Sequence, residues 1–191
     1  MTRQIGVPCM IFRGGTSKGP YFKLSDLPAD PAMRDRFLLA AMGSPDRRQI
    51  DGLGGADTLT SKVAIVSPSQ RPDADVDYLF AQVSVDKPIV DIEPSCGNML
   101  SGVGPFAIES GMVKATDGET KVVIYNVNTK SRIEATIRTP GGEIQREVAV
   151  RLEEPELAHP VPGHAARRSQ RHRPVGELHS RIGHVEVRRE H

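Results

Sequence analysis

The sequence predicts an α+β fold in which a mixed β-sheet curls around a central helix. Three observations lead there. Short apolar or alternating runs, bounded by Gly, Pro, Asn and Asp, recur along residues 4 to about 145 and read as about seven strands. Only two stretches read as helix. The later of these is built from small residues able to sit close against a sheet.

The elements follow in order. Gln4–Phe12 reads as a strand with an edge-type Pro8. Tyr21–Leu24 is a short second apolar run. Asp30-Pro31 is an N-cap followed by proline at the first helical position. With Met33, Phe37, Leu38 and Ala41 it predicts a helix over 31–42, closed by Gly43. Val63–Val66 is an apolar strand. Val76–Val85 is long and rich in β formers, and Pro88–Ile92 is a shorter strand. Pro94-Ser95-Cys96-Gly97-Asn98 leads into a predicted helix over about 97–110, with Gly111 at its end. Thr120–Val127 and Ser131–Ile137 alternate around Asn128-Thr129-Lys130 as a hairpin. A further strand begins near Val148.

Three polar segments between these elements carry the chemistry. Arg13-Gly14-Gly15-Thr16-Ser17-Lys18-Gly19 combines glycines, hydroxyls and two cations. It reads either as an anion cradle or as a plain glycine-rich hairpin turn. It is not a Walker loop, because Pro20 follows Gly19 and no helix begins there. Asp51–Lys62 has neither helical nor strand period and ends on Lys62 at the mouth of a strand. Desolvation there favours base chemistry, while a snorkelling strand-end lysine is the plain reading. Cys96 stands at the head of a helix, where unpaired N–H groups favour an anion and a thiolate. The plain reading is a buried core cysteine.

Composition excludes several classes. The 191 residues carry a net charge of +1, so no global charge points to nucleic acid. No apolar run is long enough to span a bilayer and no secretory leader opens the chain. With two cysteines, Cys9 and Cys96, and no demand that they pair, a reducing cytoplasm is expected. No Cys-x-x-Cys or His pair supports a metal site. The balance shifts abruptly after residue 150. All six histidines lie at or beyond 159, and from Pro155 onward Lys, Asp, Phe, Tyr, Met and Cys are absent. Residues 1–150 therefore read as one globular domain, and 151–191 as an Arg/His/Pro-rich tail that is disordered or translated out of frame. A nucleic-acid-binding arm would carry lysine and stacking aromatics, which this tail lacks.

Together the three polar segments are more specific than any one of them. The Arg13–Gly19 segment, Gly54-Gly55-Ala56-Asp57 with Thr60-Ser61-Lys62, and Cys96-Gly97-Asn98, in that order, resemble the PrpF-like family of the diaminopimelate epimerase fold. Asp75–Gln82 and Gly102–Ala107 look most like its 4-oxalomesaconate tautomerases of gallate-type degradation. The resemblance implies a cleft between two similar domains and proton transfer next to a carbonyl or carboxylate, without cofactor or metal. It implies catalytic roles for Lys62 and Cys96. Arg13, Gly14, Gly15, Thr16, Ser17, Lys18, Ser61, Gly97 and Asn98 are expected to bind a small tricarboxylate. Family members are about twice as long, so the second domain is expected to be missing and the chain itself poorly active. A homodimer stays open.

Two further readings accompany this one. The first is a 2-methylaconitate-type isomerase, which moves an allylic proton. The second is an inactive single-domain remnant that binds anions.

Overall fold

A computed structural model of the chain describes residues 4–145 and 179–188. Its described residues form eight strands and three α-helices, with single 3-10 turns at Leu24–Asp26, Thr58–Thr60 and Pro140–Gly142. The strands are β1 (Gln4–Gly14), β2 (Ser17–Lys23), β3 (Lys62–Pro68), β4 (Val76–Val83), β5 (Val90–Asp91), β6 (Gly118–Asn126), β7 (Ser131–Thr139) and β8 (His179–Arg188). The helices are α1 (Pro31–Met42), α2 (Gly97–Leu100) and α3 (Val103–Glu109). The sheet runs β7-β6-β4-β3-β2-β1-β8, with β5 paired to β4. It is mixed: β2/β3 and β4/β6 are parallel, and the other pairs are antiparallel.

Side-chain alternation along the strands divides the interior into two cores. On one face Phe12, Tyr21, Ala64, Val66, Tyr78 and Phe80 pack with Met99, Val103, Phe106 and Ala107 of α2 and α3. On the other face Val7, Cys9, Phe22, Val63, Ile65, Ala81 and Val83 pack with Leu38, Ala41 and Met42 of α1. The α2/α3 face holds a ring cluster. Phe12 meets Tyr21 edge-on at 4.8 Å, and Phe106 lies 5.8 Å from Tyr21 and 6.4 Å from Phe12.

Helix α1 begins and ends where the sequence predicts. The Asp30 carboxylate accepts from the Met33 N–H at 2.8 Å, and Gly43 closes the helix in the left-handed region at φ 76°. The second predicted helix is divided in two. The Gly102 N–H turns back to the Met99 carbonyl, and Pro105 has no N–H to offer Ser101. Ser101 Oγ takes up the Asn98 carbonyl, which the Gly102 N–H no longer reaches, at 2.7 Å, and the Tyr21 hydroxyl is a second donor to Met99 O. The 13–19 segment is a hairpin with Gly14 opposite Ser17 and a two-residue turn in which Gly15 takes φ 54°. Residues 179–188, to which the sequence reading gives no element, pair antiparallel with β1 over its length. The strand expected near Val148 and the rest of the Arg/His/Pro-rich tail lie outside the described residues.

Phe106 is 2 % exposed in the middle of the ring cluster. Phe106→Ala is expected to cost about 3–5 kcal/mol, cavity included. The chain has no tryptophan, so urea unfolding followed by far-ultraviolet circular dichroism measures it. A cost below about 1 kcal/mol would show that α3 does not pack as described.

Candidate active site

Two strand-end residues and one helix head meet at one end of the sheet. Lys62 opens β3 and points to the α2/α3 face, as do Ala64 and Val66 after it. Ser17 opens β2 on that same face, two residues before Gly19 and four before Tyr21. Cys96 is the residue from which α2 starts.

Helix α2 comes this close because Gly14 and Gly19 have no side chain. A Cβ on Gly14 would collide with the Asn98 carbonyl oxygen. One on Gly19 would collide with the Lys62 carbonyl and press on Met99. Asn98 then clasps the hairpin. Its Nδ2 donates to Thr16 Oγ1 at 3.0 Å and to Ser17 Oγ at 3.4 Å.

The result is a convergence on sulfur. Lys62 Nζ stands 3.7 Å from Cys96 Sγ, and Ser17 Oγ stands 3.8 Å from it. Cys96 is 9 % exposed and Ser17 is buried. With Ser17 Oγ accepting from Asn98, its own proton is free to point at the sulfur. The Phe80 ring lies 5.1 Å from the ammonium as a second, π-type partner. The Tyr78 hydroxyl donates to the Cys96 carbonyl at 3.3 Å, and Asn126 Nδ2 donates to Ser95 Oγ at 2.9 Å. Both fix the approach to α2. The amides of Gly97 and Asn98 open the helix and have no carbonyl one turn back within it. A Cβ at Gly97 would meet nothing within 4 Å, so that corner is open.

Not every residue expected at the site is there. Arg13 and Lys18 are paired across the hairpin, one position off Gly14 and Ser17, so the pleat turns them to the α1 face. Arg13 Nε donates to the Gly15 carbonyl at 3.3 Å, close to home. Ser61 is fully buried. Its hydroxyl donates to the Val83 carbonyl at 2.8 Å and accepts from Gln49 Nε2 at 2.7 Å, which leaves no proton for a ligand. The structure thus brings Thr16, Ser17, Lys62, Cys96, Gly97 and Asn98 around the open corner, with Gly14 and Gly15 beneath, and places Arg13, Lys18 and Ser61 away from it.

Residues the sequence reading passes over support this arrangement. The Gln49 side chain is buried in the 43–61 segment, where it bonds Ser44, Ser61 and the Ala56 N–H. Gln82, on β4, faces Lys62 directly. A hollow of about 620 Å³ lined by Ile108, Glu109, Gly142, Glu143 and Ile144 shares no residue with this site. Among the described residues no helix is long and apolar enough to cross a membrane, and none groups three His, Cys, Asp or Glu as metal ligands.

A mixed sheet wrapped on a central helix is the architecture of the diaminopimelate-epimerase-like fold. A hydroxyproline epimerase from Agrobacterium vitis shares it at 17% identity and a TM-score of 0.51, over 75% of this chain and 41% of that one. The chain belongs to the PrpF protein family, whose model matches residues 4–166. A (4E)-oxalomesaconate Delta-isomerase of Novosphingobium sp. (strain KA1) is 65% identical over 137 residues, covering 72% of this chain and 38% of that protein. A 4-oxalomesaconate tautomerase of Pseudomonas putida is 55% identical over 163 residues, 85% of this chain and 44% of the relative. The solved structure of a methylitaconate-delta-isomerase superposes with a TM-score of 0.72 at 53% identity, over 74% of this chain and 36% of that one. The chain thus spans about two fifths of the length of the curated relatives it matches.

The two cysteines differ in a testable way. Cys9 is 4 % exposed on the α1 face, and burial pushes its thiol up to about 11. Iodoacetamide at pH 8 is therefore expected to label Cys96 about tenfold faster than Cys9 or more, read by peptide mass spectrometry. Folded Cys9 keeps its proton to about 11, while an unfolded thiol loses it near about 8.5. The unfolded state binds fewer protons in that window, so stability is expected to fall as pH rises through it. Burial also holds the Tyr21 and Tyr78 hydroxyls protonated above their ordinary range, which steepens the loss at higher pH. Thermal melts from pH 7 to 10.5 measure this, and a flat profile would contradict the burial of all three groups.

Proposed function

We propose that this chain carries the Lys62 and Cys96 side of an isomerase active site, and that its reaction is a 1,3-proton shift on an unsaturated oxo-tricarboxylate such as 4-oxalomesaconate. The observation that carries the reading is the 3.7 Å approach of Lys62 Nζ to Cys96 Sγ, with Ser17 Oγ at 3.8 Å. A proton shift along a conjugated frame needs one group to take a proton and another to return it, both close to the same carbons. The Lys62 ammonium donates toward the sulfur, and on that contact the sulfur is assigned the role of base. The ammonium beside it is the acid and also neutralises the enolate that forms between the two steps. The Gly97 and Asn98 amides and the Thr16 hydroxyl border the open corner and suit a substrate carboxylate. The 65% identity to a (4E)-oxalomesaconate Delta-isomerase supports this substrate class.

A second reading rests on the 53% identity to a methylitaconate-delta-isomerase. The same pair would then move an allylic proton in a methyl-branched unsaturated carboxylate, and the methylaconitate-type expectation shares that allylic shift. The two substrates are separated by presenting each in deuterium oxide and following label uptake by proton NMR.

With 4-oxalomesaconate, the 191-residue chain is expected to catalyse exchange more slowly than the longer relatives. Cys96→Ser and Lys62→Met are each expected to slow it about a hundredfold further. Exchange no faster than in buffer, or equal in the variants, would overturn the proposal.

A further inference from the structure

Gln82 pairs with Lys62 across β3 and β4, and the pleat brings both side chains to the same face. Its amide is held at both ends. Nε2 donates to the Ser61 carbonyl at 2.8 Å and to the Thr58 carbonyl at 3.1 Å, which uses both of its hydrogens. Oε1 is thereby turned to Lys62 Nζ, from which it accepts at 3.1 Å. The Ser61 carbonyl also accepts from the Val83 N–H, so this corner of the sheet is tied by backbone as well. Among the described residues, no carboxylate forms an ion pair with Lys62.

We infer that Gln82 is a positioning residue that holds the Lys62 ammonium against the Cys96 sulfur while leaving its charge unneutralised. An acidic residue at 82 would reach the same nitrogen but would claim its charge. An aliphatic one would release the lysine to swing into solvent, where its four-carbon stem has many rotamers. A neutral amide, fixed by two carbonyls, does neither. Among the described residues, the titratable groups near the pair are the Tyr21 hydroxyl from β2, the Tyr78 hydroxyl from β4 and the Asp91 carboxylate of β5. Asp91 lies opposite Gln82, accepts from the Glu93 N–H at 2.9 Å and forms no ion pair with Lys62. Burial keeps both tyrosines protonated, and the ammonium at 3.7 Å is the charge in contact with the sulfur.

The inference rests on Lys62 and Cys96 working together, as proposed above. It is read at the cysteine and not through turnover, so its failure and the failure of the isomerase reading are distinguishable. The experiment measures iodoacetamide alkylation of Cys96 in the full chain against pH, with Cys9 as the internal slow standard. Gln82→Glu is expected to slow labelling at pH 7 about tenfold and to move the profile to higher pH. Gln82→Met is expected to slow it about threefold, and Gln82→Asn, which keeps an amide but withdraws it by one methylene, by a similar factor. In a Lys62→Met background the Gln82→Met and Gln82→Asn changes are expected to have no further effect, because each acts through the lysine. Far-ultraviolet circular dichroism checks that each variant is folded, and Gln82→Asn decides the matter should Gln82→Met unfold. Unaltered alkylation profiles in the folded variants, or a Gln82 effect that persists without Lys62, would overturn the inference.

Discussion

The site depends on how closely the head of α2 seats against the β1–β2 hairpin and the start of β3. Two positions without side chains make that approach sterically allowed. At Gly14 the neighbour is the backbone of Asn98, and at Gly19 it is the backbone of Lys62. Backbone cannot swing aside as a side chain can, so a Cβ at Gly14 lifts the helix off the hairpin and one at Gly19 forces β3 away from β2. Ser17, Lys62 and Cys96 lie far apart in sequence, and this seating alone brings them into contact.

Around that contact the structure spends its polar groups on orientation. Asn98 holds Thr16 and Ser17 from the helix side, and Gln82 holds Lys62 from the sheet side. Gln49 and Ser61 pin the segment leading into β3, while Tyr78 and Asn126 pin the one leading into α2. Ser17, Lys62 and the approach to Cys96 are thus fixed by neutral amides and hydroxyls, which satisfy hydrogen bonds without adding charge. A charge placed beside an acid and a base would bias one against the other. Ser61 shows the division of labour. It stands next to the lysine in sequence, yet its hydroxyl is used up within the scaffold.

The parts of this architecture that local chemistry specifies were legible in the sequence. Asp30-Pro31 and Gly43 bound α1 because capping is a matter of a few adjacent atoms. Lys62 and Cys96 stood out through the family resemblance of their segments. The face that Arg13 and Lys18 take was not legible, because it depends on where the hairpin turns, and a shift of one position reverses it. A run of three glycines with Thr and Ser gives no such boundary. The division of the second helix turns on Pro105, on the Gly102 N–H bonding Met99 in place of Asn98, and on side-chain bonds from Ser101 and Tyr21 to the Asn98 and Met99 carbonyls. Gln82 looked like an ordinary polar rung in a well-formed strand, and only the register against β3 gives it a role.

The central claim is that the Lys62 nitrogen and the Cys96 sulfur are in direct contact. Nitrogen-15 NMR of the lysine side chains tests it most directly, by comparing the wild-type chain with Cys96→Ser. The account predicts that the Lys62 ammonium is protected from solvent and that its signal moves on loss of the sulfur, while those of Lys18 and Lys121 do not. A Lys62 signal that exchanges as freely as theirs and ignores the substitution would contradict it.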